Sequence, residues 1–475
     1  MTILSPAEQC SDETLAEALI HDEPALVSSL DFGPFVRQGV GAGPSLLIGD
    51  PSEITLLSSA TASRLEYRMA LLARPGDHVM VRHRDPDFEA YLSAYLGLAD
   101  VTFHKVNPKS LVPVTQQAWT SANWIDTFAA IAERRGSLTI QSYLTTGHTW
   151  RLAQAIGEQT RRVIYVSGPS PRISQRANDK LWFAGLARRI IGKDATPPTL
   201  SAYGPAATAG LVRRISKGVD QVIVKIPDSA GSAGNLRLDS SLVRHTPLAD
   251  LRRFLLSRLH AMGWQDNYPV LVGVWDKDVI CSPSAQLWLP HISEGKPRVE
   301  GIFEQRVQTS AAAFVGAARS TLPGEVQDQL RAQATRIASV LQRLGYYGRC
   351  SLDAVLCRTK NATPMIHWIE CNGRWGGVSI PMTAASHLTG QSPAIAISIV
   401  QENLPGQYLG MNELLHRLQG LLLRTDGRTT GLVVLSPPAN PNGTLVNLLA
   451  VAETQPAADD MLRTAISRLA RSGQL

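Results

Sequence analysis

The chain is poor in cysteine: it has 5 in 475 residues, an odd number with no C-x-x-C pair. A disulfide framework needs paired cysteines and the common zinc motifs need closely spaced ones, so the sequence gives no sign of either. This usage is typical of a reducing compartment, and we expect the protein to be cytoplasmic.

Long apolar runs and blocks of like charge are also missing. No stretch reaches the roughly 18 apolar residues of a transmembrane helix, and the N-terminus shows no signal pattern. The net charge of +6 comes from scattered arginines, such as Arg188 and Arg189, rather than from a basic tail. We therefore expect neither a membrane nor a nucleic acid as partner, but a weak attraction for ligands that carry phosphate or carboxylate groups.

Several catalytic motifs are absent as well. The sequence contains no G-K-[ST] phosphate loop, no nucleophile elbow and no H-E-x-x-H pair, so Walker-type nucleotide binding, serine hydrolysis and zinc proteolysis have no support. What remains is a globular composition, 44% hydrophobic and 18% charged, long enough for about two to four structural units.

The most informative segment that is present covers residues 348–377. GRCSLDAVLC and MIHWIECNGRWGG predict two antiparallel strands joined by a short polar connection. Folding the hairpin about the middle of that connection places Asp353 opposite Glu370, and strand alternation puts Asn372 on the face of Glu370. Opposed carboxylates within about 5 Å repel each other unless a cation lies between them. Because oxygen ligands suit Mg²⁺ held against substrate phosphates, we predict a magnesium site at Asp353, Glu370 and Asn372.

Three more residues of the hairpin require interpretation. Strand alternation gives Arg374 the same face as Glu370, and Arg349 the same face as Asp353. Arg349 is then either a second charge-stabilising residue or a surface arginine beside a glycine turn. The same count places His367 on the opposite face from Glu370, which predicts a structural role for this histidine.

A second informative segment is VIVKIPDSAGSAGN at residues 222–235. Lys225 lies within a predicted buried strand, where an ammonium group is costly unless it meets an anion. The small residues that follow leave backbone N–H groups open to phosphate oxygens. The predicted phosphate-binding residues here are Lys225, Ser229, Gly231, Ser232, Gly234 and Asn235.

Together these two segments resemble the ATP-grasp enzymes, in which a strand lysine and a glycine-rich loop precede an acidic residue and an E-x-N-x-R segment. The sequences SPSAQLWLPHI and GIFEQRV look most like those of pheganomycin-type peptide ligases that carry an N-terminal pre-ATP-grasp domain. The resemblance implies ATP and Mg²⁺ as cofactors, and it implies catalytic roles for Arg374, Arg349 and Lys225.

The resemblance also implies further nucleotide contacts. Lys180 corresponds to the first phosphate-binding lysine, although a solvated charge at a helix start is an equal alternative. The predicted strand YPVLVGVW corresponds to the adenine hinge, with Asp276 or Asp278 beyond it for the ribose. The candidate hinge and ribose residues are Val272, Gly273, Val274 and Asp278.

Alternating strand and helix patterns over the first 170 residues favour an open α/β sheet, and Glu66-Tyr67-Arg68 resembles a pattern of the pre-ATP-grasp domain. We therefore predict an α/β fold with three parts. They are a pre-ATP-grasp α/β domain at 1–170, an ATP-grasp domain with α+β lids at 171–403, and a small C-terminal α+β cap at 404–475. The cap could line a substrate cleft or form the contact of a homodimer.

The resemblance implies an ATP-dependent carboxylate-amine ligase that forms an amide or peptide bond through an acyl phosphate and releases ADP and phosphate. Its partners would be a carboxylate substrate and an amine substrate, amino acids or short peptides of specialised metabolism. An ATP-grasp phosphotransferase and a non-catalytic ATP-binding module are the alternatives, and a carboxylase lacks any biotin-handling signature.

Overall fold

Three β-sheets organise the chain. The computed structural model describes residues 5–27, 32–54, 56, 65–110, 112–227, 229, 234–308, 313–359, 364–390, 396–406, 408–425, 427–439 and 443–470. The predicted loop residues Gly231 and Ser232 lie outside the described residues.

The first sheet, here the N-terminal sheet, has six strands in the order β1-β6-β5-β2-β3-β4, all paired in parallel. Its strands are β1 (Val36–Gln38), β2 (Ser45–Ile48), β3 (His78–Val81), β4 (Thr102–Lys105), β5 (Leu138–Ser142) and β6 (Ile164–Val166). The helices of this part are α1 (Pro6–Asp22), α2 (Pro86–Leu96), α3 (Val114–Trp119), α4 (Ala122–Arg135) and α5 (Gly147–Thr160), with 3₁₀ turns at Pro24–Leu26 and Glu66–Leu72. A parallel sheet needs helical crossovers, which is the alternation that the sequence predicts.

The second sheet, here the small sheet, has four strands in the order β7-β10-β8-β9. They are β7 (Thr199–Ala202), β8 (Gln221–Lys225), β9 (Asn235–Asp239) and β10 (Val270–Val274). The helices before and between them are α6 (Pro171–Asn178), α7 (Lys180–Ile191), α8 (Pro205–Ser216), α9 (Ser240–His245) and α10 (Leu248–Ala261). Apolar side chains of α8 and α10 form a core with one face of this sheet, which leaves the other face for a cleft.

The third sheet, here the large sheet, has eight strands in the order β15-β14-β11-β12-β13-β16-β18-β17. They are β11 (Val279–Leu289), β12 (Arg298–Gln308), β13 (Ala313–Arg319), β14 (Gly348–Cys357), β15 (Met365–Asn372), β16 (Ala396–Leu404), β17 (Gly431–Val434) and β18 (Thr444–Ala452). The remaining helices are α11 (Gly324–Arg343), α12 (Ser379–Thr389), α13 (Met411–Arg417) and α14 (Gln455–Ala470), with a 3₁₀ turn at Ile292–Glu294.

The segment 404–475, predicted as a separate cap, contributes β17 and β18 to the large sheet. β18 pairs with β16 over nine residues, from Ala396 opposite Ala452 to Leu404 opposite Thr444. β17 and β18 pair as an antiparallel hairpin, and α13 and α14 supply the helices of the predicted α+β pattern. The C-terminal strands therefore share a continuous sheet and core with the strands before them.

Buried charges attach the N-terminal sheet to the rest of the chain. All seven residues of the 3₁₀ turn Glu66–Leu72 are buried. Within it, Arg68 donates to Gln401 Oε1 at 2.8 Å and to Asn447 Oδ1 at 2.5 Å, both on strands of the large sheet.

Among the described residues, no helix is both long and apolar enough to cross a membrane.

Candidate active site

The hairpin of β14 and β15 brings the predicted metal ligands together. Asp353 lies opposite Glu370 and Ser351 lies opposite Asn372, in the register predicted from the sequence. The register shifts between Asp353 and Ala354, where Ile369 is the extra residue of a β-bulge. Asn372 Nδ2 donates to Asp353 Oδ2 at 2.9 Å and to Glu370 Oε1 at 3.4 Å. Three oxygen-bearing side chains therefore converge on one point.

The electrostatics of this group fit a cation. Burial, and then the neighbouring Glu370, raise the pKa of Asp353 to about 6. Burial opposes ionisation of Glu370 as well, but the positive charges of Lys180 and Arg374 hold the pKa of Glu370 below its ordinary value. A divalent cation between the two carboxylates would remove their repulsion, and an all-oxygen donor set is the one that Mg²⁺ prefers. As a metal ligand Asn372 would rotate its amide by a half-turn, because Nδ2 faces the carboxylates here, and it would then give up the hydrogen bond that Oδ1 accepts from Arg374.

Arg374 is held at the end of β15 by two amide oxygens. Its Nη1 donates to Asn178 Oδ1 and its Nη2 donates to Asn372 Oδ1. Asn178 also accepts from the backbone N–H of Gly373 at 3.1 Å, so the last residue of α6 fixes the turn that carries Arg374. No motif marked Asn178, which lies two residues before Lys180.

Two lysines reach the same place from the small sheet and from α7. Lys180 Nζ lies 3.1 Å from Glu370 Oε2 and donates to the carbonyl oxygens of Pro227 and Ser229. Burial, reinforced by Lys180 and opposed by Glu370, lowers the pKa of Lys225 to about 8. Both lysines therefore face a site that an anion would stabilise.

The base of the predicted phosphate loop is closely packed. The backbone N–H of Ile226 donates to the Gly234 carbonyl at 2.9 Å, and Ser229 Oγ donates to the Ile226 carbonyl at 2.9 Å. A Cβ at Gly234 would lie 2.1 Å from Ser229 Oγ, so only glycine fits. Asn235 pairs with Lys225 across β8 and β9, and its Oδ1 is buried without a hydrogen-bond partner in the described part of the chain.

These groups lie at the junction of two cavities. The first, here the front cleft, holds about 330 Å³ between the small and large sheets. The second, here the rear cavity, holds about 510 Å³ and extends from β15 to the N-terminal sheet. Lys180, Ser229 and Glu370 line both. Arg374 lines only the rear cavity, and Lys225 lines only the front cleft.

Only part of the predicted adenine hinge lines the front cleft. β10 lies between β7 and β8, so Val272 and Gly273 pair with a strand on each side, and their backbone groups are used within the small sheet. Val274 and the two residues after it line the front cleft instead. Asp278 is exposed and lines a second surface cavity but not the front cleft, whereas Asp276 lines both. The N–H groups of Val274 and Trp275 donate to the carbonyl oxygens of Pro198 and Gln221, so Val274–Asp276 is the segment that lines the cleft, and the hinge itself stays a prediction.

Asp276 is held by a histidine that the sequence interpretation placed elsewhere. His367 Nδ1 lies 2.9 Å from Asp276 Oδ2. His367 was predicted to face away from Glu370, but the bulge at Ile369 puts both on the cleft face, while Ile366, Trp368 and Cys371 pack into the core behind. The prediction of its face was wrong because alternation fails across a bulge.

The contact between His367 and Asp276 also includes a thiol. Potential ligand atoms of Asp276, Cys357 and His367 lie within 4.8 Å of one another. Burial, together with the charges of Asp276 and Asp278, raises the pKa of Cys357 to about 12. The hydrogen bond shown within this group joins His367 to Asp276, so His367 supports the acidic residue beside the front cleft.

Arg349 does not line either cavity. Its guanidinium pairs with Glu300, donates to Thr383 Oγ1 at 3.2 Å and lies over the rings of Trp288 and Trp375 at 5.3 and 5.1 Å. It is buried, so the alternative of a surface arginine is incorrect, whereas the catalytic role stays a prediction. Its surroundings are those of a packing residue.

Sequence reasoning missed the residues that support Asp353 from β11 and β12. Ser284 Oγ donates to Asp353 Oδ1 at 2.6 Å, and Gln286 Nε2 donates to Ser284 Oγ at 2.8 Å. Gln305 adds another side-chain hydrogen bond to Asp353. Ser284 and Gln286 share a face of β11, so alternation within SPSAQLW carried the only available signal.

Comparison with known proteins agrees with this architecture. A family model described as the pre-ATP-grasp domain matches residues 66–158. Biotin carboxylase of Campylobacter jejuni, solved as a β,γ-ATP complex, is 13% identical over 90% of this chain and 91% of its own, with a TM-score of 0.53. No curated protein sequence matches the chain.

Two other solved structures are similar over nearly their whole length. N5-carboxyaminoimidazole ribonucleotide synthetase of Thermus thermophilus is 14% identical, covers 91% of this chain and 99% of its own, and has a TM-score of 0.53. N5-carboxyaminoimidazole synthase of Aspergillus clavatus, solved with ADP and its aminoimidazole ribonucleotide, is 12% identical, covers 90% and 99%, and has a TM-score of 0.52. The predicted fold class is confirmed: an α/β chain with a pre-ATP-grasp domain and the ATP-grasp fold. The pheganomycin-type subfamily stays a prediction.

Proposed function

We propose that this protein is an ATP-dependent carboxylate-amine ligase that uses Mg²⁺ and joins two amino acids or short peptides through an acyl phosphate. The observation that carries the proposal is the junction of the two cavities. Two carboxylates and an amide lie there with the buried Lys180, the half-buried Lys225 and an arginine, so the site suits a triphosphate with its metal ion on one side and a carboxylate substrate on the other.

Each side chain then has a role that follows from its position. Asp353, Glu370 and Asn372 would hold Mg²⁺, which supplies charge neutralisation to the triphosphate when bound. Lys225 and Lys180 would offset the remaining phosphate charge from the front cleft. Arg374, in the rear cavity, would hold the carboxylate and then the acyl phosphate, because its planar guanidinium donates to two oxygens at once.

The direct test is to incubate the protein with ATP, Mg²⁺, bicarbonate and pooled amino acids and short peptides, and to measure nucleotide products and new masses together. ADP, phosphate and a mass equal to two substrates minus water would establish the ligase. ADP with a phosphorylated or carboxylated substrate would replace it with a phosphotransferase or a carboxylase. AMP with pyrophosphate would contradict the mechanism, and ATP binding without turnover would favour a binding module.

Gly234→Ala is expected to weaken ATP binding. The new Cβ would overlap Ser229 Oγ, and moving Ser229 would withdraw a carbonyl oxygen that Lys180 uses. We expect the Kd for ATP to rise about tenfold, the equivalent of one lost hydrogen bond to a charged group.

The matched control is Gly210→Ala in α8 of the same part of the chain, where a Cβ would meet nothing within 4 Å. Alanine in a helix interior should leave ATP affinity unchanged and raise the melting temperature slightly. Equal ATP affinities for the two variants would show that the loop base does not position Lys180.

Asp276→Asn is expected to raise the KM for ATP about tenfold, because Asp276 faces the front cleft and would accept from the ribose hydroxyls. Asp278→Asn serves as the control, since that side chain is exposed and lines another cavity. Steady-state kinetics with varied ATP compares them directly. A larger rise in KM for Asp278→Asn than for Asp276→Asn would instead support Asp278 as the ribose-binding residue.

A further inference from the structure

The rear cavity contains a glutamate that the proposed function leaves unused. Glu53 follows β2 at the carboxyl edge of the N-terminal sheet and lines this cavity together with Glu370, Asn372 and Arg374. Ligands of open parallel sheets bind at the carboxyl ends of the strands, so Glu53 lies where a substrate is expected. It therefore shares a cavity with Arg374, the proposed site of the acyl phosphate.

The partners that the described residues give the carboxylate of Glu53 are hydroxyl groups. Thr146 Oγ1 donates to Glu53 Oε2 at 2.8 Å, and Thr115 Oγ1 donates to the same oxygen at 3.4 Å. Within the described residues, no lysine, arginine or histidine forms an ion pair with Glu53. The nearby Arg82 is committed to Asp50 and Glu66 instead. A half-buried carboxylate thus remains open to the cavity and has no positive partner in the part of the chain that the structure describes.

The surroundings of Glu53 also favour proton transfer. Burial, and less strongly the charge of Asp50, raise the pKa of Glu53 to about 7, while its hydrogen bonds to Thr146 and Thr115 lower it. The charged residues that line the same cavity are Asp179, Lys180, Glu370 and Arg374. A general base is most effective when its pKa lies near the working pH.

We propose that Glu53 binds the ammonium group of the amine substrate in the rear cavity and removes one of its protons. The inference rests on the proposed function and adds that the amine enters from the side of the N-terminal sheet, so that its nitrogen reaches the acyl carbon held at Arg374. The substrate class is therefore a primary amine that is protonated in solution, such as the α-amino group of an amino acid or peptide.

The step balances without any further reagent. The ammonium gives one proton to the Glu53 carboxylate, and the neutral nitrogen attacks the carbonyl carbon of the acyl phosphate. The N–C bond forms while the bond between that carbon and the phosphate oxygen breaks, and the electron pair leaves with the phosphate. The second proton of the nitrogen goes to the departing phosphate, and the Glu53 proton returns to solvent.

The test compares two nucleophiles on Glu53→Gln. With the amine substrate, kcat/KM should fall about 10²-fold or more, the usual contribution of a general base. Hydroxylamine is largely unprotonated at neutral pH, so it does not need a carboxylate to bind an ammonium group or to remove a proton. With this nucleophile, formation of ADP and hydroxamate should stay near wild type. Exchange of the β,γ-bridging oxygen in ATP without any amine should also be unchanged.

Glu158→Gln is the matched control, because Glu158 is an exposed residue of α5 that does not line the cavity. Thr146→Val is the second variant: it removes a hydrogen bond that stabilises the ionised form of Glu53. The acidic limb of the wild-type profile of kcat/KM for the amine, expected near pH 7, should move to higher pH in Thr146→Val and disappear in Glu53→Gln.

Equal losses with hydroxylamine and with the amine would overturn the assignment, since they would indicate a structural role or a role in acyl phosphate formation. An unchanged kcat/KM for the amine would overturn it as well. These outcomes differ from failure of the proposed function, in which the wild-type protein itself would make neither amide nor hydroxamate.

Discussion

Glu370→Gln is expected to lower kcat by about 10³-fold while ATP still binds. The substitution keeps the size of the side chain but removes the charge that opposes Asp353 and pairs with Lys180. Lys180 and Lys225 remain to attract the triphosphate, so the Kd for ATP should change only a few-fold. The loss falls on the transition state, where preorganised charges have their largest effect. Titration with ATP and Mg²⁺, alongside an assay of ADP formation, separates the two quantities.

Glu325→Gln, an exposed change in the first turn of α11, is the control and should alter neither quantity. Retained turnover in Glu370→Gln would contradict the metal-site assignment. If the wild-type protein binds ATP without turnover and Glu370→Gln lowers only affinity, the chain is a binding module.

The hairpin that carries the proposed metal ligands could be predicted from the sequence because its information is local. The polar connection after Cys357 fixes which residues oppose each other, and the pairing of Asp353 with Glu370 follows by counting. The bulge at Ile369 could not be predicted, since an extra residue leaves no mark in the hydrophobic pattern of so short a strand. His367 therefore moved to the cleft face, where it supports Asp276.

The remaining differences depend on neighbours that are distant in sequence. Val272 and Gly273 lie inside the small sheet rather than at the front cleft, because β7 and β8 flank β10. The sequence of β10 alone does not determine the order of strands in that sheet. No sequence motif marks Glu53, because its significance lies in lining the same cavity as Arg374, which is distant in the sequence. Local patterns specify strands, whereas the pairing of distant segments specifies which side chains share a site.

The two arginines that the sequence offered as catalytic should separate cleanly when each is replaced by lysine. Arg374 spans two amide oxygens and lines the rear cavity, and a lysine has no planar fork to reproduce that arrangement. We expect Arg374→Lys to lower kcat/KM for the carboxylate substrate about 10²-fold with an unchanged melting temperature, because this half-buried residue contributes mainly to transition-state charge.

Arg349→Lys should show the reverse behaviour. Its guanidinium is buried between Trp288 and Trp375 and pairs with Glu300, so a lysine would lose the stacking and part of the pairing, at a cost of about 2 kcal/mol in the free energy of unfolding. Turnover per folded molecule should stay within a few-fold of wild type. Thermal unfolding and kinetics on the same two preparations decide the assignment. A catalytic defect in Arg349→Lys with unaltered stability would mean that Arg349 reaches the substrate after all, in a conformation that releases Glu300.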